Sequence, residues 1–184
     1  MRKAVHLLAL VVPVLSELTS KSLVLVALSA VTIAYILAEV LRLKGRPLPI
    51  ITPFTLKLSR PEERSTFIVR PAYLAIGIIL ALIIYPTTIA YASIVIGALG
   101  DTFAAFAGRK FGHRQLSKRK TVEGFAAGFA ASFLAAALLV SPLIALIGAV
   151  GAMLMELLDL PDDNLTMPLA AGALMTLVSL VLHQ

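Results

Sequence analysis

Asp101 stands inside an apolar segment, at the head of the run GDTFAAFAGRKFGHRQLSKRKTVEG that ends at Gly124. A carboxylate within a membrane helix costs about 2.5–3.5 kcal/mol on insertion scales, so it marks a functional site by default. Six basic residues follow it, Arg109, Lys110, Arg114, Lys118, Arg119 and Lys120. An acid set below a basic loop suits a metal-bound anion at a membrane surface.

Asp101, Ala105, Gly108 and Gly112 follow i, i+4, i+7, i+11 spacing and so share one helical face. Small residues admit a neighbouring backbone, and near the loop they leave room for a ligand. The plainer alternative for Asp101 is an ion pair that joins helices. Past the basic loop, Thr121 can cap a new helix, with Glu123 at its positive end. Alternatively that helix start, with Lys118 and Lys120 beside it, binds phosphate while Glu123 helps hold a divalent ion. Gly124 and Gly128 form a GxxxG pair, a signal of helix packing.

A third group lies in ELLDLPDDNLTMP, from Glu156 to Pro168. Asp159, Asp162, Asp163 and Asn164 are hard oxygen donors suited to magnesium. A solvated turn with Asp163 or Asn164 capping the last helix explains one or two of these acids, not all. Their spacing is not that of an EF-hand, and neither a P-loop nor an HExxH motif is present. His6, His113 and His183 are too scattered to argue for zinc. His6, one turn beyond Lys3, is placed either to meet phosphate or to be structural.

The elements that must position these groups are membrane helices. Hydrophobic residues make up 59% of the 184, charged ones 14%, and the mean hydropathy is +0.96. That composition belongs to a polytopic membrane protein built as one all-α bundle, with no separate soluble domain. Cysteine is absent, which rules out disulfides and thiolate metal sites. A net charge of +6 in such a chain points to topology, anionic headgroups and phosphate-bearing substrates, not to nucleic acid. The N-terminal run reads as a retained helix, since no small-residue cleavage site precedes the next span.

Seven spans are expected, at about 4–19, 22–41, 67–85, 87–107, 122–140, 142–158 and 166–182. Pro13 should kink the first, Pro71 should open the third, and Pro86 and Ser141-Pro142 make uncharged corners. FTLKLS, in the loop between the second and third spans, alternates polar and apolar residues and is expected to lie on the interface. Fifteen of sixteen Lys and Arg residues fall in the N-terminus, the 42–70 loop and the 108–120 loop; Lys21 is the exception. With seven spans these regions and the acidic loop share one face, which the positive-inside rule makes cytoplasmic, with the C-terminus outside.

RKAVH at 2–6, GDTFAAFAGRKFG at 100–112, KRKTVEG at 118–124 and the E…DDNLTMP ending resemble the membrane lipid-kinase family that includes dolichol kinase, phytol kinase and the CTP-dependent diacylglycerol kinase of yeast. The GD…G…G…KT-EG series is shared in part with phosphatidate cytidylyltransferases, whose Lys-Asp and His-Gly-Gly ending this chain lacks. The resemblance implies magnesium-dependent transfer of the γ-phosphate of CTP to the hydroxyl of a membrane lipid alcohol, of polyprenol, dolichol or diacylglycerol type. It implies metal holding by Asp101, Asp162 and Asp163, with Asn164 beside them. Triphosphate contacts fall to Lys118, Lys120 and Arg109, in the setting of Gly108, Gly112, Thr121 and Gly124. Glu123 or Glu156 then orients or deprotonates the hydroxyl. Two other readings stand beside it: a cytidylyltransferase that makes a CDP-lipid, and an ion or phosphate transporter with Asp101 and Glu156 on its path.

Overall fold

The protein, seen in a computed structural model, is described here over residues 6–59, 61–117, 120–158 and 162–182. Lys3, Lys118 and Asp159, all named above, lie outside those residues. The chain begins with a helical stretch, His6–Leu18, whose regular part is α1 (Val11–Leu18). It opens into a turn at Ala9 and Leu10. Ala9 is four residues before Pro13, where the proline ring excludes the ordinary helical carbonyl; Val12 N–H bonds to Ala9 O in a tighter i−3 pattern.

α2 (Lys21–Leu43) starts on the Ser20 hydroxyl, which accepts from Leu23 N–H. It ends at Gly45, whose φ of +74° lets Arg46 N–H turn back to Leu41 O, a Schellman closure. α3 (Ile51–Leu58), a short helix capped by Ser59, takes up the FTLKLS stretch. A 3-10 turn, Pro61–Glu63, leads on to α4 (Arg70–Ile84), with Pro71 in its first turn. α5 (Thr87–Phe111) follows the Pro86 corner and runs four residues past the expected end, carrying Arg109 and Lys110 in its last turn. Cations there complement the negative end of the helix dipole. The basic loop folds into a small antiparallel hairpin, β1 (Gln115–Ser117) with β2 (Lys120–Thr121), which the sequence reading did not anticipate. α6 (Val122–Ala136), α7 (Pro142–Leu157) and α8 (Asp163–Leu182) complete the chain.

Each of the seven stretches expected to be apolar spans is therefore a helix. Among the described residues, Lys21–Leu43, Thr87–Phe111 and Asp163–Leu182 are long and apolar enough to cross a membrane; His6–Leu18, Arg70–Ile84, Val122–Ala136 and Pro142–Leu157 are apolar but shorter. The packing is inverted relative to a water-soluble bundle. Alanines fill the centre, with Ala81, Ala90, Ala92, Ala136, Ala145 and Ala152 fully buried, while Leu18, Leu134, Leu138 and Val181 face outward. Leu82, Ile94, Ile96, Met153, Met167 and Met175 share that centre, and small residues inside with branched apolar ones outside are compatible with a membrane bundle.

Among the described residues the most extensive helix contact is that of α5 with α6. A Cβ at Gly128 would lie 2.8 Å from Gly100 O, and one at Gly124 would lie 2.7 Å from Ala104 O. The stripe that meets α6 is thus Gly100, Ala104 and Gly108, which keeps Gly108 of the expected stripe and puts Gly100 and Ala104 in place of Asp101 and Ala105. α8 seats its first turn against α4 and α5. Pro168 removes the N–H that Asn164 O would accept, and that carbonyl faces Gly77, where a Cβ would come within 2.7 Å.

One buried ion pair was not foreseen. Glu39, near the end of α2 and only 2% exposed, takes Arg42 in a two-pronged bond, Nε to Oε1 at 2.9 Å and Nη2 to Oε2 at 2.8 Å. Glu39 also accepts Ile68 N–H at 3.0 Å. The remaining guanidinium donors reach Arg64 O and Thr66 O, both at 2.6 Å, and Tyr35 donates to Ile68 O at 2.6 Å. This latch folds the 42–70 loop back onto α2.

Candidate functional site

The hairpin and the start of α6 are fastened together, and that aims Lys120. Val122 N–H bonds to Arg114 O at 2.9 Å. Both oxygens of Glu123 accept from Arg114 N–H, at 3.2 and 3.3 Å. Thr121 caps α6, its hydroxyl accepting Gly124 N–H at 3.1 Å, as its type and position led one to expect. The same hydroxyl sits 3.0 Å from where a Cβ would stand at Gly108 or Gly124, and Thr121 crowds Gly112 likewise. These glycines let the hairpin close over the end of α5.

From β2 the Lys120 side chain reaches the end of α7 and the start of α8. Its Nζ donates to Glu156 Oε1 on α7 and to Asp163 Oδ2 on α8, both at 3.0 Å. Burial works against the Lys120 charge, but the two neighbouring carboxylates outweigh it and hold the ammonium pKa above its ordinary value. One cation thus ties three elements that are far apart in sequence. Glu156 is 4% exposed and Asp101 8% exposed, and the charges of both Asp101 and Asp163 are felt at Glu156. On its other side Asp101 Oδ2 lies 3.3 Å from His6 Nε2. His6 Nδ1 and the hydroxyl of Thr102, the residue after Asp101, are buried without a hydrogen-bond partner among the described residues.

Asp162 caps α8: its Oδ1 accepts Asn164 N–H at 2.9 Å, and its carbonyl receives Leu165 N–H. The cap lies one residue before Asp163 and two before Asn164, the candidates from sequence. Burial raises the Asp162 pKa, opposed by that Asn164 hydrogen bond and by the charge of Arg70.

The structure therefore brings Asp101, Lys120, Glu156, Asp163 and His6 into one neighbourhood. Glu123 faces the hairpin, Arg109 is exposed on the end of α5, and Gly108, Gly112, Gly124 and Thr121 serve close packing. Among the described residues no three of His, Cys, Asp and Glu converge as a ready-made metal site. The donors suit magnesium in kind, since Glu156, Asp163 and Asp101 offer hard oxygens. Lys120 now supplies the positive charge between the first two. The joining of Lys120 to both Glu156 and Asp163 had no signal in the spacing; only the hairpin's direction sets it. Comparisons with protein-family models, with curated proteins and with solved structures give no match.

Proposed function

We propose that this protein is a membrane enzyme that phosphorylates a lipid alcohol, with CTP as donor, at the Lys120–Glu156–Asp163 cluster beside Asp101. The observation that carries this reading is a single ammonium held between two carboxylates of different helices, at the level where a basic hairpin meets the bundle. A polyphosphate arriving there would compete for Lys120 and free two acids at the same moment. The motif resemblance points the same way, and phosphoryl transfer needs mainly positioning and charge neutralisation.

In this scheme all seven apolar helices cross the bilayer, with the basic and acidic loops on the cytoplasmic face. Lys120 and Arg109 meet the triphosphate. Asp101 and Asp163 would hold magnesium, which when bound neutralises charge on the phosphates; Asp162 keeps α8 capped so that Asp163 is aimed. The lipid hydroxyl oxygen bonds to the γ-phosphorus, the bond from that phosphorus to the β,γ-bridging oxygen breaks, and CDP leaves. Glu156 accepts the hydroxyl proton. It is preferred over Glu123 because it is buried beside Lys120, whereas Glu123 is engaged by the Arg114 main chain.

The test is a product assay on purified protein with lipid alcohols, magnesium and CTP or ATP labelled in either the γ- or the α-phosphate. The expected result is γ-label in the lipid and CDP in solution. Pyrophosphate with α-label in the lipid would make the protein a cytidylyltransferase. Solute flux in liposomes without nucleotide, and no lipid product, would make it a transporter.

A further inference from the structure

The chain between α2 and α4 has its polar and apolar faces exchanged. α3 turns Thr52, Thr55 and Ser59 inward and closes their hydroxyls on local backbone. Thr52 Oγ1 accepts Leu48 N–H at 3.0 Å, Thr55 Oγ1 donates to Ile51 O at 2.9 Å, and Ser59 Oγ donates to Leu56 O at 3.0 Å. Ile50 and Phe54 stand outward, 84% and 64% exposed. Such a helix has its solvent-compatible groups satisfied and its greasy ones outside, which fits the acyl boundary of a bilayer.

An open cleft of about 760 Å³ adjoins α3. Its lining is apolar along Pro47, Leu48, Pro53 and Leu56, and Arg42 and Arg64 also border it. Arg42 is fully engaged in the Glu39 latch. Arg64 contributes only its main-chain carbonyl to that latch, and its side chain is exposed. Between Arg42 and Arg70 there are seven basic residues against two acidic ones, Glu62 and Glu63. An exposed guanidinium beside an apolar cleft, within a strongly basic segment, selects a phosphate that comes with hydrocarbon attached.

We propose that α3 and this cleft bind an anionic phospholipid of the surrounding bilayer. Arg64 takes the phosphate, the glycerol and upper acyl carbons lie along Pro47, Leu48, Pro53 and Leu56, and Ile50 and Phe54 enter the acyl layer. The site is separate from the Lys120 cluster and does not rest on the phosphoryl-transfer reading.

The experiment uses the whole protein in neutral detergent micelles, titrated with short-chain phosphatidylglycerol, with phosphatidylcholine of the same chains, and with inorganic phosphate. Binding is followed by native mass spectrometry and by thermal unfolding. Phosphatidylglycerol is expected to bind and to raise the melting temperature, while the other two do neither. Arg64→Gln should weaken phosphatidylglycerol about fivefold, the worth of one basic side chain at a lipid surface. Its ligand-free melting should be unchanged, because the carbonyl that Arg42 uses is kept. Equal stabilisation by phosphatidylcholine, undiminished affinity in Arg64→Gln, or the same effect from inorganic phosphate or CTP would each overturn the proposal.

Discussion

Two ion clusters, one in each half of the chain, use similar groups and are built differently. In the Glu39–Arg42 latch the pair lies one helical turn apart, and every charged group is matched. Glu39 takes a two-pronged guanidinium and Ile68 N–H, while Arg42 spends its other donors on two carbonyls. In the Lys120 cluster one ammonium faces two carboxylates drawn from two other helices, with a third acid, Asp101, near enough for its charge to be felt. The latch is closed to any further ligand. In the Lys120 cluster one cation is shared between acids of two other helices, the arrangement that the proposed reaction would use. A pair completed by main-chain groups holds a loop; a shared cation ties together elements that are distant in sequence.

The largest effect expected is on the latch. Glu39→Ala leaves Arg42 buried beside carbonyls without its counter-charge, and breaking a buried pair in this way costs roughly 3–5 kcal/mol. Thermal unfolding in micelles should show that loss, with the remaining folded fraction keeping its phosphoryl-transfer rate. A stable protein with a lost rate would reverse the roles of the two clusters.

Next comes Lys120→Met, which removes the ammonium while keeping the apolar stem. If Lys120 meets the developing charge on the phosphate, turnover should fall on the order of a hundredfold or more. The melting temperature should change less than in Glu39→Ala. Unchanged turnover would reduce the Lys120 cluster to a second latch.

Gly128→Ala tests what holds the Lys120 cluster in place. Its Cβ would press on Gly100 O at 2.8 Å and on Ala104 Cβ at 2.9 Å, so α6 must move away from α5. Overpacking of this kind costs about 1–3 kcal/mol. Activity should fall along with stability, because α6 begins two residues after Lys120 and Asp101 adjoins Gly100 on α5. A loss of stability alone would show that the cluster tolerates a shift of its helices.

The smallest effect separates the two cations by pH. The Lys120 pKa is raised above its ordinary value of 10.5. Its contribution to stability is therefore complete below that pH and is lost as pH rises through the still higher folded value. The stability gap between wild type and Lys120→Met should be flat from neutral pH to about 10 and close above it. A guanidinium does not deprotonate, so the gap for Glu39→Ala should stay open over the same range. Parallel curves for the two variants would contradict the contrast drawn here.

Much of the architecture was legible in the residues. Apolar runs of helical length, proline at Pro71, Pro86 and Pro142, and the Thr121 cap are local signals, and each lies where local chemistry dictates. Boundaries slipped where tertiary partners decide them. α5 extends through its cationic last turn, and α8 begins three residues early because Asp162 caps it.

By itself, the sequence determined that this is a helical chain with an inverted, membrane-type composition, and that its chemistry-bearing residues concentrate around Asp101, the basic loop and the acidic turn. Helix periodicity, proline and hydropathy act over a few residues, so one chain is enough to read them. Only the tertiary structure decided which groups meet. The hairpin turns Lys120, and not Glu123, toward Glu156 and Asp163, and the α5–α6 contact uses Gly100 and Ala104, in place of Asp101 and Ala105, together with the expected Gly108. The Glu39–Arg42 latch was hidden for the same reason: its acid and base are near neighbours on α2, but the carbonyls that complete it come from the loop beyond α3. Contacts between residues tens of positions apart depend on the direction of a whole element, and no short spacing encodes that direction.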